Sequence, residues 1–217
     1  MKKETLFVVA AVGLLLVFVF GTMAYLSEKR AESTQLAERN RTHLVRLHSP
    51  TLGNADAPVV IVEFLDPACA TCREFYPLVK QMMAANPDRI RLVLRYAPFH
   101  DGSDKVVAIL EAARRQGRFW PALEALLAAQ AEWVVDHKAQ VALVWKHLEG
   151  LGLNLEQLRA DMTAPEIAGM VAQDLEDARV LNVTKTPEFF VNGKPLPSFG
   201  YDQLKELVDK ALASGRR

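Results

Sequence analysis

The chain has 217 residues, which is enough for one domain of ordinary size with short appendages. Its 26 Lys and Arg residues balance its 26 Asp and Glu residues, so it lacks the basic excess that a nucleic-acid-binding surface needs. The sequence also contains no glycine-rich phosphate loop and no internal repeat.

The first element is an uninterrupted apolar segment at residues 6–26, LFVVAAVGLLLVFVFGTMAYL. As a helix it would extend roughly 31 Å, which matches the hydrocarbon core of a bilayer, about 30 Å thick. We therefore predict a transmembrane anchor over residues 1–26. A cleaved signal peptide is the alternative, because Thr22-Met23-Ala24 resembles a cleavage site, although the apolar run exceeds the usual length of about 7–15 residues.

Residues 27–48 are polar with scattered aliphatic side chains, and they predict a linker between the membrane and a folded domain at residues 49–217. Within that domain, Val59–Leu65 has the composition of a strand buried on both faces. Apolar residues at helical spacing follow from Thr71 to Ala85, and Ile90–Tyr96 predicts a second strand.

Residues 103–182 carry helical periodicity throughout and predict a block of helices. The segment PEFFVNGKPL then predicts a hairpin around Asn192-Gly193, a favoured turn pair, and Tyr201–Ser214 predicts a closing amphipathic helix. The order strand, helix, strand, helical block, hairpin, helix indicates an α/β fold with an inserted helical subdomain.

The two cysteines of the chain, Cys69 and Cys72, stand two residues apart just after the first long strand. A structural disulfide is disfavoured because so short a loop gains little chain entropy. Zinc needs four ligands, and the five histidines do not pair at metal-ligand spacing, so we predict no metal site. Two thiolates do suit Cu(I), which keeps a copper carrier as an alternative.

The position of Cys69 at the predicted start of a helix favours redox chemistry. Free N–H groups and about half a positive charge at a helix N-terminus stabilise a thiolate, the attacking species in disulfide exchange. Residues three apart on a helix have Cβ atoms about 5–6 Å apart, whereas a relaxed disulfide needs about 3.5–4.5 Å. A Cys69–Cys72 bridge therefore requires a tightened first turn and should be easily reduced.

Glu63 lies six residues before Cys69 in the middle of the apolar strand. A surface glutamate on an edge strand is one interpretation. If it is buried behind the cysteines instead, desolvation should raise its pKa. It could then accept or return the proton of Cys72.

This combination resembles the DsbA-like branch of the thioredoxin superfamily. The resemblance is carried by LGNADAPVVIVEFLD, PACATC, CREFYPLVK and VTKTPEFFVNGKPL, and it covers residues 49–214. It implies a thioredoxin-like fold with a helical insertion and a thiol-disulfide oxidoreductase whose redox group is the Cys69–Cys72 disulfide, without a further cofactor. Cys69 would attack the substrate, Cys72 would resolve the mixed disulfide, and Glu63 matches the acidic residue of the family.

The resemblance also implies a cis peptide bond at Thr186-Pro187, opposite the cysteines, where an extended client could pair with the backbone. The implied partners are extended or unfolded proteins with cysteines, a membrane redox partner, and the bilayer through residues 6–26. Ala70-Thr71 departs from the Pro-His of strong oxidants, so the direction of electron flow stays open. A reductase or isomerase that receives electrons across the membrane is the alternative.

The compartment follows from the chemistry, because the charges flanking the apolar segment give conflicting indications of orientation. Disulfide-forming enzymes act outside the cytosol. We therefore expect a single-pass protein of the bacterial inner membrane whose domain faces the periplasm.

Overall fold

The computed structural model describes residues 3–215. The chain divides into two compact units, one up to Arg39 and the other from Asn40 onward. The first helix, α1 (Lys3–Leu44), contains the apolar segment. Its described part from Ala11 is long and apolar enough to cross a membrane, a property that it shares with signal sequences.

The second unit is built on a central mixed sheet. Its strands are β1 (Thr51–Leu52), β2 (Val59–Leu65), β3 (Ile90–Tyr96), β6 (Glu188–Val191) and β7 (Lys194–Pro195). They lie in the spatial order β1–β3–β2–β6–β7. Only β2 and β3 run parallel, paired from Val59 with Ile90 to Leu65 with Tyr96, and the other neighbours are antiparallel.

Helices cover the sheet and form the insertion between β3 and β6. They are α2 (Ala70–Ala85), α3 (Ser103–Arg115), α4 (Phe119–Ala128), α5 (Gln130–Trp133), α6 (Val141–Val144), α7 (Leu155–Asp161), α8 (Pro165–Val180) and α9 (Tyr201–Ser214). A short 3₁₀ turn, Trp145–His147, follows α6. The predicted order of elements is therefore present, and the predicted α/β fold with a helical insertion is confirmed.

One part of the insertion differs from the sequence prediction of helix throughout. A two-stranded hairpin, β4 (Val134–Val135) with β5 (Lys138–Ala139), interrupts the helices. Its turn residues Asp136 and His137 both have positive φ, 49° and 60°. Two consecutive residues in this region make the tight turn of a hairpin and end a helix, which the apolar spacing alone did not reveal.

The alternation of side chains along β2 determines what faces the site. Ile61 and Leu65 pack with both cysteines in the larger apolar cluster, which includes residues of α2 and α3. Val62 and Phe64 pack on the opposite face in a smaller cluster. Because successive side chains of a strand point to opposite faces, Glu63 shares the face of Ile61 and Leu65. Its carboxyl group is therefore on the side of the cysteines.

A buried ion-pair network joins β3 to α8 and to residues 43–48. Arg95 is fully buried and its guanidinium donates to the carboxylates of Asp174 and Asp177, with Nη2 at 2.7 Å from an oxygen of each. Arg46 and His43 also bond to Asp177. Residues 40–48, which the sequence assigned to the linker, thus include side chains that bond to the folded unit.

Candidate active site

The two cysteines lie at the start of α2, directly after the turn that ends β2. Cys69 is the N-cap residue of α2, with φ −76° and ψ 120°. The Cys69 N–H donates to the Asp66 carbonyl at 3.0 Å, and the Cys69 carbonyl accepts the Arg73 N–H at 3.2 Å. Both cysteines are free thiols in this structure. Cys69 is 7% exposed and Cys72 is fully buried, so of the two cysteines only Cys69 has any contact with solvent.

The environment of Cys69 favours its thiolate. A hydrogen bond from the Cys72 thiol is the largest influence and lowers the pKa of Cys69 to about 5 against the opposing effect of burial. The Thr186 side chain and the backbone N–H groups of Thr71 and Cys72 lower that pKa further. Free N–H groups in the first turn of a helix have this effect on a thiolate, as the sequence predicted.

The environment of Cys72 has the opposite effect. Burial raises the pKa of Cys72 well above its ordinary value, and the hydrogen bond that its thiol gives to Cys69 and the charge of Glu63 add to the rise. At neutral pH one sulfur is therefore an anion and the other keeps its proton. This asymmetry is what a nucleophile and a resolving thiol require.

Glu63 lies in the centre of the sheet and behind the cysteines. It pairs with Leu94 of β3 on one side and with Phe189 of β6 on the other, and its side chain is fully buried. Within the described residues neither carboxylate oxygen has a hydrogen-bond partner. Burial, and secondarily the charge of Cys69, raises the pKa of Glu63 to about 8. The interpretation as a surface residue on an edge strand is therefore wrong, because β2 is a central strand.

Thr186 and Pro187 face the cysteines from the segment before β6. The peptide bond between them is cis, as the resemblance implied. The Cys69 thiol lies 3.2 Å from the Thr186 carbonyl oxygen, to which it can donate when protonated. Thr186 is partly exposed and Pro187 is buried, so backbone at this point borders both the reactive sulfur and the surface.

Asp66, which the sequence analysis did not single out, organises the turn before Cys69. It is fully buried. One carboxylate oxygen accepts the Ala68 N–H at 2.8 Å and the Ser103 hydroxyl. The other accepts the backbone N–H groups of Phe99 and His100 and the His100 ring. An Asp side chain that accepts the N–H two residues later is a common turn motif, so the bond from Asp66 to the Ala68 N–H could have been predicted from the sequence.

Gln130 is the second residue that the sequence analysis missed. Its buried side-chain amide donates to the carbonyl oxygens of Pro67 and Cys69, at 2.8 and 3.0 Å. It belongs to the helical insertion and is separated from these partners by 63 and 61 residues. No local sequence pattern connects it with the cysteines.

The described residues offer no obvious metal centre beyond the cysteine pair. Within residues 3–215, no group of three or more His, Cys, Asp or Glu side chains could hold a metal ion. Any metal at this site would therefore have to be bound by the two thiols themselves, which restricts the choice to a thiophilic ion of low coordination number.

Comparison with known sequences gives the family. A protein-family model described as Thioredoxin matches residues 46–210. The chain belongs to the thioredoxin family. A thioredoxin-like oxidoreductase from Silicibacter pomeroyi DSS-3 is 34% identical, with a TM-score of 0.67 over 76% of this chain and 93% of that structure. This thioredoxin-family fold, predicted from the cysteine motif and its surroundings, is thereby confirmed.

Other solved structures share this thioredoxin-like fold over most of the chain. Oxidised BdbD from Bacillus subtilis is 26% identical, with a TM-score of 0.67 over 76% of this chain and 94% of that one. The α-DsbA1 of Wolbachia pipientis has a TM-score of 0.70 over 81% of this chain and 96% of that one. At 16% identity the second likeness concerns the fold alone.

The curated relatives of this thioredoxin-family chain are longer proteins. The Na⁺/H⁺ antiporter NhaA of Herminiimonas arsenicoxydans is 30% identical over 219 aligned residues, which cover 96% of this chain and 33% of the antiporter. Antiporter NhaA 3 of Salinispora tropica is 32% identical over 168 residues, or 76% of this chain and 25% of the antiporter. The chain thus spans a quarter to a third of the length of these relatives.

Proposed function

We propose that this protein is a membrane-anchored thiol-disulfide oxidoreductase that exchanges disulfides with extracytoplasmic proteins through Cys69 and Cys72. The fold is that of thiol-disulfide oxidoreductases. One observation carries the proposal. The pKa values of the two thiols at the start of α2 are shifted in opposite directions, downward for Cys69 and upward for Cys72, and only Cys69 has any contact with solvent.

In the oxidising direction, a client thiolate attacks the Cys69 sulfur of the Cys69–Cys72 disulfide. The bond between the two cysteine sulfurs breaks, Cys72 leaves as a thiolate, and Glu63 is placed to supply the proton that neutralises it. A second client thiolate then attacks the client sulfur of the mixed disulfide. Cys69 leaves as a stable thiolate, the client gains a disulfide, and two electrons remain on the two cysteines.

The stability of the Cys69 thiolate bears on the direction of exchange. A thiolate that is stabilised in the reduced protein makes its disulfide more oxidising. A pKa of about 5 for Cys69 lies between about 3.5 for strong oxidants such as DsbA and about 7 for thioredoxin. We therefore propose net oxidation of clients with a driving force below that of the strongest oxidants. Ala70-Thr71 between the cysteines agrees with this position.

Client binding is proposed for the backbone of Thr186 next to Pro187. An extended peptide that pairs with this segment would bring its own sulfur to Cys69, because the Thr186 carbonyl is 3.2 Å from that sulfur. Main-chain pairing depends little on the amino-acid sequence of the client, which suits a catalyst that acts on many unfolded proteins.

The location is proposed from α1 together with the chemistry. Apolar side chains of this helix are strongly exposed, including Leu14 at 72% and Phe18 and Phe20 at 68%. A bilayer would cover them, and disulfide formation is chemistry of compartments outside the cytosol. We propose an inner-membrane anchor with the domain in the periplasm and a membrane partner that removes the electrons. The names of the antiporter relatives do not extend antiport to this chain, which covers only part of them.

A trapping experiment tests the exchange mechanism. The Cys72→Ala variant should accumulate mixed disulfides between Cys69 and clients, because the resolving thiol is gone. The Cys69→Ala variant, whose remaining sulfur is buried, should accumulate none. Non-reducing gels of cells that express each full-length variant make the comparison. Equal trapping by both variants, or by neither, would contradict the proposal.

The reduction potential separates the proposed oxidant from the alternative reductase or isomerase. Equilibration of the full-length protein with glutathione should give a value between about −120 mV, typical of DsbA, and about −270 mV, typical of thioredoxin. A value at or below the thioredoxin end would favour the reductase that is supplied with electrons across the membrane. If the two cysteines showed no reversible couple, the proposal would fall and Cu(I) binding by the thiols would be tested next.

A further inference from the structure

The turn that carries Cys69 is held by a side chain from the helical insertion. Gln130, the first residue of α5, is 2% exposed. Its Nε2 donates to the carbonyl oxygen of Pro67 at 2.8 Å and to that of Cys69 at 3.0 Å. A side-chain amide nitrogen has two N–H donors, so both are used on this one turn.

Gln130 completes the hydrogen bonding of the Cys69 carbonyl. That oxygen also accepts the backbone N–H of Arg73 at 3.2 Å, the first bond of α2. A carbonyl oxygen has two lone pairs, and in this structure each has a donor. On the other side of the turn, Asp66 accepts the Ala68 N–H at 2.8 Å. Two buried side chains thus bind three backbone groups of this turn, the carbonyls of Pro67 and Cys69 and the N–H of Ala68.

The orientation of these peptide groups matters to the reactive sulfur. The backbone N–H groups of Thr71 and Cys72, in the first turn of α2, favour the thiolate of Cys69. Without Gln130 the Pro67 carbonyl would lose this donor and the Cys69 carbonyl would keep only the Arg73 N–H, so more of their partial negative charge would be uncompensated in a nearly dry site close to the thiolate. Unpaired polar groups are costly there, and electrostatic effects are strong.

We propose that Gln130 is a positioning residue for thiol-disulfide exchange at Cys69. Its amide supplies an N–H donor to each of the carbonyl oxygens of Pro67 and Cys69, which holds the turn in the conformation that presents the N–H groups of α2 to the thiolate. The inference deepens the proposed function and rests on it. It gives the helical insertion a direct part in setting the reactivity of the cysteine pair.

The test is a thiol titration of the reduced full-length protein. Gln130→Met keeps an unbranched side chain of similar length and removes the donor. Thiolate absorbance at 240 nm, followed against pH, should show the pKa of Cys69 raised by about one unit. The thiolate fraction at pH 5 would then fall about fivefold. Cys72 does not interfere, because its pKa lies well above its ordinary value.

Trp133→Phe is the matched control for general loosening. Trp133 lies in the same short helix, is fully buried, and donates through Nε1 to the Leu126 carbonyl at 2.8 Å rather than to the cysteine turn. This variant should lower the melting temperature and leave the titration of Cys69 in place. If Gln130→Met does not fold, Gln130→Asn applies the same test, because it keeps the amide but is too short to reach both carbonyls.

The outcomes are distinct. A Cys69 pKa that is unchanged in the Gln130 variant, or that moves equally in Trp133→Phe, would overturn the positioning role. The titration needs neither client nor redox partner, so it stands apart from the trapping experiment with Cys72→Ala. A failure of trapping with a shifted pKa would count against the proposed function and not against the position of Gln130.

Discussion

At the scale of single residues, two groups in the candidate site depart from their ordinary proton affinity in opposite directions. The pKa of Cys69 is lowered from 9.0 to about 5, and that of Glu63 is raised from 4.5 to about 8. A buried, unpaired carboxyl group keeps its proton, while a thiol at a helix start gives its proton up. The two groups therefore make opposite contributions to stability between pH 5 and pH 8.

Glu63→Gln isolates the contribution of Glu63 to the pH dependence of stability. Because the folded protein binds the Glu63 proton more tightly than the unfolded chain, this residue stabilises the fold fully below about pH 4.5. That stabilisation is lost as the pH rises to about 8. The variant should therefore gain stability relative to the parent across this window, by a few kcal/mol, since one pKa unit corresponds to about 1.36 kcal/mol.

Urea unfolding of the reduced proteins at pH 4.5, 6 and 8 measures this difference. Glu74→Gln, on the exposed side of α2, is the control and should leave the parent profile unchanged. A constant difference between Glu63→Gln and the parent at all three pH values would show that the pKa of Glu63 is not raised in the folded protein.

Cys69→Ser isolates the contribution of the Cys69 thiolate to the pH dependence of stability. The folded pKa of Cys69 is depressed, so its thiolate stabilises the reduced protein fully above about pH 9, and this is lost as the pH falls to about 5. The serine variant should be less stable than the reduced parent at pH 8 and similar to it at pH 5. Urea unfolding with excess reductant provides the comparison. A deficit that persists at pH 5 would point to lost packing instead.

At the scale of elements, the Arg95 network joins β3 to α8 across one face of the sheet. Arg95→Met would leave the carboxylates of Asp174 and Asp177 buried without the guanidinium between them. Removing one partner of a buried ion pair costs about 3–5 kcal/mol. We expect a loss of that size in urea unfolding, with no change in the titration of Cys69.

Arg179→Met is the matched control for this prediction. Arg179 pairs with Glu176 on the exposed surface of the same helix, with side chains 72% and 54% exposed. Such pairs contribute at most about 1 kcal/mol. Equal effects of the two substitutions would mean that the Arg95 network is not a stabilising link between β3 and α8.

The elements also show where sequence patterns succeed and where they fail. Both long strands have the predicted bounds, because each is a short, mainly apolar run that ends at turn signals. The hairpin after Val191 is present, with Asn192 and Gly193 both at positive φ. The hairpin within the helical block was missed because Asp136 and His137 are not a recognised turn pair, and their conformation depends on neighbours from the rest of the fold.

At the scale of the whole molecule, the folded unit includes more of the chain than the sequence assigned to it. Leu44 is 2% exposed and packs with Val62 and Phe64. Arg46 and His48 bond to Asp177 and Asp174. The contacts divide the chain at Arg39 and Asn40, within α1.

This division predicts how truncated proteins behave. A fragment of residues 49–217 lacks Leu44 and the Arg46 and His48 bonds. Its free energy of unfolding should be at least about 2 kcal/mol lower than that of residues 40–217, because the loss of one buried leucine alone costs that much. Urea unfolding of both fragments measures the difference. Equal stability would show that residues 40–48 do not contribute to the folded unit.

The sequence by itself determined the fold family, the order of the main elements, the apolar helix and five of the residues that meet at the site. Cys69, Cys72, Glu63, Thr186 and Pro187 were all identified from motifs. These features are encoded by local spacing and by the similarity of short segments, so one strand or one turn suffices to reveal them.

Only the tertiary structure decided the electrostatics of that site and the contacts that support it. The burial of Glu63 depends on β3 and β6 on both sides of β2, and the bonds of Gln130 cross more than 60 residues of chain. Proton affinities depend on desolvation and on partners a few ångströms away in space. Such distances are set by packing between segments that are far apart in the chain, and a sequence pattern within one segment carries no information about that packing.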